Sequence, residues 1–202
     1  MSDKQETRQA ILEAAMQRIV HYGYAKTTMS EIARDCSMSA GNIYRFFASK
    51  LDIAEGIARK FNTDLYQAFS ALARGSESAP HRLRAVFEFS LQRTYDAIAK
   101  EAKVIDLAEV LADERPLFFN EQLAQERIYL VQILSDGIKQ GEFAPMNDPN
   151  YTAEMIQSAM MKFRFPQLYS MLTLPKLQRE LHGVLDLIIA GLRHGTDPKS
   201  TE

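Results

Sequence analysis

The chain has 202 residues, 46% of them hydrophobic, and a formal charge of -2, which is typical of a soluble globular protein with a substantial core. No run of eighteen apolar residues appears, so the sequence predicts no membrane-spanning helix. The polar N-terminus and the single cysteine lead us to expect a cytoplasmic protein without an internal disulfide.

From the N-terminus onward, apolar residues recur mostly at the three- and four-residue spacing of helices. The alternation of apolar and polar residues that is typical of strands is nearly absent. The first helix is expected to run from Thr7 to Tyr22, with Gly23 as its C-terminal stop. Its apolar residues recur at helical spacing and form one stripe, consisting of Ile11, Leu12, Ala15, Met16 and Ile19. The pattern therefore predicts an all-α fold that begins with an amphipathic helix.

Two short helices joined by a tight turn are predicted next, over residues 27–47. Thr28 and Glu31 have the spacing of a capping box, which marks the start of a helix. Ser39 is a suitable N-cap for the second helix, in which Ile43 and Phe47 share the buried face with Phe46. Small, polar and basic residues remain on the other sides, as in a helix that enters the major groove of DNA.

The rest of the chain is also predicted to be helical. One helix is expected from Lys50 to Arg74, ending at Gly75 and linking a head to a larger body. Because proline cannot donate a helical hydrogen bond, Pro166 should kink or interrupt the helix that contains it. The predicted helices of the body cover residues 79–100, 103–113, 116–140, 149–172 and 175–193.

The last two predicted helices carry broad apolar stripes. The final helix has the stripe Leu177, Leu181, Val184, Leu185, Ile188, Ile189 and Leu192. The preceding helix has Tyr151, Met155, Ile156, Ala159, Met160 and Phe163. Two interpretations remain open from the pattern: both stripes face the core of their own chain, or they pair with a second copy in a two-fold four-helix interface.

Residues from about Thr7 to Phe61 resemble the DNA-binding end of the tetracycline-repressor (TetR) family of bacterial transcription regulators. The matching residues are Gly23, Tyr24, Thr27, Thr28, Ile32, Ala33, Ser39, Gly41, Tyr44, Phe47 and Lys50. The chain departs from the family pattern at Ser37, where a turn glycine is common, and at Ala40, where a lysine is frequent. The resemblance implies a three-helix helix-turn-helix domain, here residues 1–50, and a helical effector-binding and dimerisation domain, here residues 51–202.

The resemblance and the side-chain chemistry together predict the DNA contacts. Ser39, Ala40, Asn42 and Arg45 are expected to face the groove, where Asn42 suits an adenine and Ala40 a thymine methyl. Gly41 would let the backbone approach closely, and the phosphate contacts are assigned to Thr28, Tyr44 and Lys50. Residues 1–60 carry nine Lys/Arg and seven Asp/Glu, whereas residues 61–202 carry fifteen and nineteen, so the head is the more basic part.

A ligand-responsive body is the second expectation. Met and aromatic side chains suit irregular apolar ligands, although many of them must belong to the ordinary core. The candidate pocket residues are Phe87, Tyr95, Phe118, Tyr129, Met155, Met160 and Phe163. The predicted partners are a DNA operator with two-fold symmetry, a second copy bound through the last two helices, and a small apolar effector that releases the repressor from DNA.

No metal, cofactor or catalytic centre is predicted. The four histidines are scattered, and Cys36 lies in the helix-turn-helix without a neighbouring histidine to activate it. The alternative to a DNA-binding regulator is a helical protein–protein interaction module without operator function, and a small helical enzyme is a more distant alternative.

Overall fold

The computed structural model describes residues 3–100, 103–164 and 172–195, and every regular element in these ranges is helical. The first four helices are α1 (Asp3–Tyr22), α2 (Met29–Asp35), α3 (Ala40–Ile43) and α4 (Lys50–Ala73). The remaining helices are α5 (Ala79–Lys100), α6 (Lys103–Glu114), α7 (Pro116–Lys139), α8 (Pro149–Ala159) and α9 (Leu174–His194). The predicted all-α fold is confirmed, and none of these helices is long and apolar enough to cross a bilayer.

The described residues divide into two compact units. The first unit comprises residues from 1–64 and 97–119, and the second comprises residues from 65–96 and 120–202. Helices α4, α5 and α7 each contribute to both units. The domain limit predicted between residues 50 and 51 stays a prediction.

The core of the first unit joins the helix-turn-helix to α1, the start of α4 and α6. Helix α1 contributes the predicted face through Ile11, Ala15 and Ile19, which are all buried. The other buried members are Met29, Ile32, Ala33, Ile43, Phe47, Ile53, Ala54, Ile57, Leu107, Leu111 and Phe118. Burial of these side chains on one face of each short helix is what holds α2 and α3 in place, since isolated helices of this length are not stable in water.

The core of the second unit is formed by one face of each of its helices. Helix α9 buries Leu177, Leu181, Leu185, Ile189 and Leu192 in its own chain. Helices α5 and α7 contribute the fully buried Leu83, Leu91, Leu130, Ile133 and Leu134. For most of the α9 stripe, the first of the two interpretations above is therefore the observed one.

Helix α8 is shorter than the predicted segment of residues 149–172. It ends at Ala159, and a 3₁₀ turn follows at Met161–Phe163. The amide of Met160 donates to the carbonyls of both Ile156 and Gln157, which tightens the last turn. Residues 165–171, including Pro166 and its predicted kink, lie outside the described residues.

The turn between α2 and α3 contains a backbone conformation that favours glycine. Ser37 has φ 55°, and among the described residues it is the one non-glycine with positive φ. A left-handed conformation costs an L-residue about 1–2 kcal/mol. Ser37 thus occupies the position where the resemblance leads one to expect glycine, and it keeps the same backbone geometry.

Replacing Ser37 with glycine is expected to raise the free energy of unfolding by about 1 kcal/mol, because glycine adopts this conformation without steric cost. Urea unfolding followed by circular dichroism measures the effect. The matched control is Ser30→Gly inside α2, where the same exchange is expected to lower stability by a similar amount. Equal destabilisation by both exchanges would contradict the prediction.

Candidate DNA-binding surface and effector cavity

Local hydrogen bonds fix the start of α2. The Thr28 hydroxyl oxygen accepts from the Glu31 amide at 3.3 Å, and a Glu31 carboxylate oxygen accepts from the Thr28 amide at 2.9 Å. The predicted capping box is therefore confirmed. Hydrogen bonds from Thr28 hold the pKa of the Glu31 carboxyl below its ordinary value. The Thr28 side chain is exposed, but its hydroxyl is already engaged with Glu31 at 2.8 Å.

Helix α3 is a single turn that continues into further turns up to Phe47. The Ser39 hydroxyl accepts from the Asn42 amide at 3.2 Å, as an N-cap does. After Ile43, amides bond back to carbonyls three or four residues earlier, so residues 40–47 stay helix-like. Ile43 and Phe47 are buried as predicted, and the Arg8 guanidinium lies 4.1 Å from the centre of the Phe47 ring.

The opposite side of this segment faces solvent. Tyr44 is 55% exposed, and Arg45 is also exposed. Asn42 is half-buried, while Ser39, Ala40 and Gly41 are exposed. The structure thus places the predicted groove-facing residues together on one free surface of the first unit.

Gly41 has no packing role among the described residues. A methyl group added at its α-carbon would meet nothing within 4 Å. Glycine in a helix costs about 1 kcal/mol relative to alanine. No described residue needs that space, and the close approach of DNA at Gly41 stays a prediction.

Lys50 lies at the start of α4 and is partly buried. Its ammonium donates to the Tyr24 carbonyl at 2.8 Å and lies 4.1 Å from the centre of the Tyr24 ring. Burial lowers the pKa of Lys50. The backbone bond uses one of three ammonium donors. Its predicted phosphate contact stays a prediction.

Ion pairs connect α1 to α2. Arg18 donates to both Asp35 oxygens, at 2.6 and 3.0 Å, and lies 3.3 Å from Glu31. The hydrogen-bonded Arg18 guanidinium holds the pKa of the Asp35 carboxyl below its ordinary value. Two helices of the first unit are thereby held by a bidentate contact as well as by apolar packing.

A small cavity lies within the second unit. Its volume is about 30 Å³, which is room for one water molecule. Its walls are formed by Phe69, Val86, Phe87, Ser90, Leu123, Glu126, Leu130, Gln157, Met160, Phe163 and Arg164. Three of the predicted pocket residues, Phe87, Met160 and Phe163, are thus brought together.

The other four predicted pocket residues lie elsewhere. Phe118 is buried in the core of the first unit, and Tyr129 packs against the rings of Tyr66 and Phe69. Tyr95 is half-buried without lining the cavity, and Met155 is exposed. Periodicity alone does not distinguish these positions from cavity walls.

Sequence reasoning missed the buried acid of the cavity, Glu126. Its position carries a signal, because Glu126 lies four residues before Leu130 and eight before Leu134, on the buried face of α7. An acidic residue at an apolar position of an amphipathic helix is unusual unless it is paired. No group of three metal-ligating side chains occurs among the described residues.

Comparisons with known proteins agree with this architecture. Residues 11–57 match the bacterial regulatory proteins of the tetR family, and residues 79–185 match a tetracyclin repressor-like C-terminal domain. The transcriptional repressor KstR2 of Mycobacterium tuberculosis is 26% identical over 151 residues, which cover 74% of this chain and 76% of KstR2.

Solved structures of similar fold are also regulators. The fatty acid degradation regulator FadR from Bacillus halodurans has a TM-score of 0.69 at 20% identity, covering 96% of this chain and 99% of that one. SmeT, repressor of the Stenotrophomonas maltophilia multidrug efflux pump SmeDEF, has a TM-score of 0.68 at 20% identity, covering 100% and 98%. At this identity the likeness concerns the fold. With both parts of the sequence matched and an exposed helix-turn-helix face in place, the chain belongs to the TetR family and is a DNA-binding transcriptional regulator.

Proposed function

We propose that this regulator is a homodimeric repressor that acts in the bacterial cytoplasm and leaves its operator when a small, largely apolar molecule occupies the cavity of the second unit. The observation that supports the DNA-binding part is the exposed side of residues 39–45, where a methyl added at Gly41 would meet no described residue within 4 Å. We assign the protein no catalytic turnover.

The proposed DNA contacts follow from the exposed chemistry. Ser39, Ala40, Asn42 and Arg45 read base edges, and the absent side chain of Gly41 lets the backbone come close. The proposed phosphate contacts are made by Thr28, Tyr44 and Lys50. Phosphate contacts fix the register of the helix, and base contacts supply the sequence preference.

The proposed dimer uses the exposed sides of α8 and α9. Leu187 is 77% exposed on α9, on the same face as Gly183, where an added methyl would meet nothing within 4 Å. On α8, Tyr151 and Met155 are exposed and share a face at four-residue spacing. Small and apolar residues on two adjacent helices suit close two-fold packing with a second copy.

The proposed effector site rests on the apolar cavity of the second unit. Two regulators of similar fold have been solved with ligands: SmeT with triclosan and FadR from Bacillus subtilis with stearoyl-CoA. Both ligands carry large apolar parts. The phenylalanine and methionine walls described above suit an apolar part of this kind.

The DNA-binding part is tested by gel shift with the promoter region beside the protein's own gene, at two salt concentrations. Arg45→Ala is expected to weaken binding by about 1–3 kcal/mol if its base contact is bidentate. Tyr44→Phe, which removes an uncharged hydrogen bond to a phosphate, is expected to weaken binding while leaving the salt slope unchanged, because the slope reflects the charged Lys/Arg contacts.

Arg74→Ala is the control, because Arg74 is an exposed arginine in the second unit, outside the proposed surface. Unchanged affinity of the Arg45 and Tyr44 variants at both salt concentrations would refute these two roles. Absent or salt-insensitive binding of the unmodified protein would refute the operator function and favour the protein-interaction module.

A further inference from the structure

The effector cavity has a buried carboxylate in its wall. The Glu126 side chain is 4% exposed. Phe69, Phe87, Phe163 and Met160 line the same cavity. A buried carboxylate needs a compensating positive charge, since an unpaired one is strongly disfavoured in an apolar setting.

Arg164 supplies that charge. Both of its terminal nitrogens donate to Glu126, and the bond from Nη2 to Oε1 measures 2.6 Å. The Arg164 side chain is 23% exposed, far more than its partner. The carboxylate is therefore the fixed, enclosed member of the pair, and the guanidinium is the member that reaches solvent.

The neighbouring polar groups already have partners. The Gln157 amide donates to the Leu123 carbonyl at 2.9 Å, and its oxygen accepts from Arg127 at 2.9 Å. Arg127 is also paired with Glu154 at 3.2 Å. Among the described residues, Glu126–Arg164 is consequently the ion pair in the cavity wall itself.

The cavity must enlarge before it can hold an effector. Its 30 Å³ is about one water molecule, whereas sites for drug-sized ligands measure about 300–1,000 Å³. Movement of the partly exposed Arg164 side chain toward solvent would open the wall. That movement leaves Glu126 without its counter-charge unless the ligand provides one.

We infer that the effector is a lipophilic cation, whose positive group takes the place of the Arg164 guanidinium on Glu126 while its apolar part lies among the phenylalanine rings. This inference rests on the proposed effector site and adds the chemical class of the ligand. A cation keeps the buried charge balanced through the exchange. An anion would draw Arg164 to itself and leave two negative charges with one positive partner.

The aromatic walls favour the same class of ligand. Cations are attracted to the faces of aromatic rings within about 6 Å, and quaternary ammonium groups are recognised in this way. Three phenylalanine rings beside one carboxylate offer both kinds of contact in a single site. Met160 adds a polarisable side chain that adapts to an irregular apolar body.

The test compares three probes with the same eight-carbon chain: octyltrimethylammonium, octanoate and 1-octanol. Isothermal titration calorimetry on the full-length protein is expected to show at least tenfold tighter binding of octyltrimethylammonium than of octanoate. Octyltrimethylammonium is also expected to release the operator DNA in a gel shift at lower concentration than octanoate does.

Variants show which side chains cause the preference for the cationic probe. Glu126→Gln is expected to weaken binding of the cation at least tenfold, and Arg164→Gln to strengthen it by removing the internal competitor. The double variant Glu126→Gln/Arg164→Gln removes both charges, so it should still bind 1-octanol without preferring the cation. Glu154→Gln is the matched control, because Glu154 pairs with Arg127 and does not line the cavity.

The outcomes separate this inference from the function on which it rests. Equal or tighter binding of octanoate, or an unchanged cation preference in Glu126→Gln, overturns the inference even when ligand-free protein binds its operator normally. Binding of none of the three probes overturns both the inference and the proposed effector site. Failure of the ligand-free protein to bind operator DNA refutes the repressor itself.

Discussion

Gly41→Ala is expected to weaken operator binding by about 1–3 kcal/mol, the scale of one lost base contact, which is about 5- to 150-fold in Kd. Gly41→Leu should weaken it further. The reason is that a side chain at this position would project from α3 into the space proposed for the DNA, which no described residue fills. Fluorescence anisotropy with a labelled operator measures both affinities.

Thermal unfolding distinguishes this effect from a damaged fold. Alanine is a better helix former than glycine by about 1 kcal/mol, so Gly41→Ala is expected to be at least as stable as the parent protein. Gln17→Leu is a suitable control, because it adds an exposed leucine on α1, away from the proposed surface. If Gly41→Leu bound the operator as well as the parent does, α3 would not be the helix that enters the groove.

Leu187→Glu is expected to convert the proposed dimer into monomers and to reduce operator affinity by about 10²–10⁴-fold. The charge would have to be buried against a second copy, while in a single chain Leu187 is 77% exposed. Two linked heads gain affinity because the second contact is intramolecular once the first has formed, and separated heads lose that gain. Sedimentation velocity and operator titration on the same samples measure both effects.

Leu117→Glu provides the matched control. It makes the same leucine-to-glutamate substitution on α7, where Leu117 is 72% exposed. The control is expected to remain dimeric and to bind the operator normally. A Leu187→Glu protein that sediments as a dimer would place the interface on another surface. A monomer with full operator affinity would show that pairing is not needed for DNA binding.

The head was predictable because its signals are local. The capping box of Thr28 and Glu31 involves residues three apart, and the same holds for the cap at Ser39. Such hydrogen bonds depend on spacing rather than on the rest of the fold. The left-handed backbone at Ser37 could be placed only through the family resemblance, since serine itself does not favour it.

The body was less predictable because an amphipathic pattern shows that a face is buried without showing what covers it. The leucines of α9 were compatible with either a dimer interface or an internal core, and the structure places them in the core of their own chain. The buried pairing of Glu126 was not predicted for a related reason. Its partner Arg164 is 38 residues away in the sequence, and no local sequence pattern connects the two residues. Cavity walls are formed by residues that are far apart in the sequence. Periodicity therefore identifies buried residues, but it does not show which of them line the cavity.

The narrowness of the proposed effector cavity would have a kinetic consequence. A molecule larger than water finds no vacant space in this conformation, so it must capture a rarer, expanded form of the protein or force the walls apart after a first encounter. The apparent affinity is reduced by the scarcity of the receptive form. The rate of derepression would then depend on how often the second unit expands. It would not be limited by diffusion of the effector through the cell.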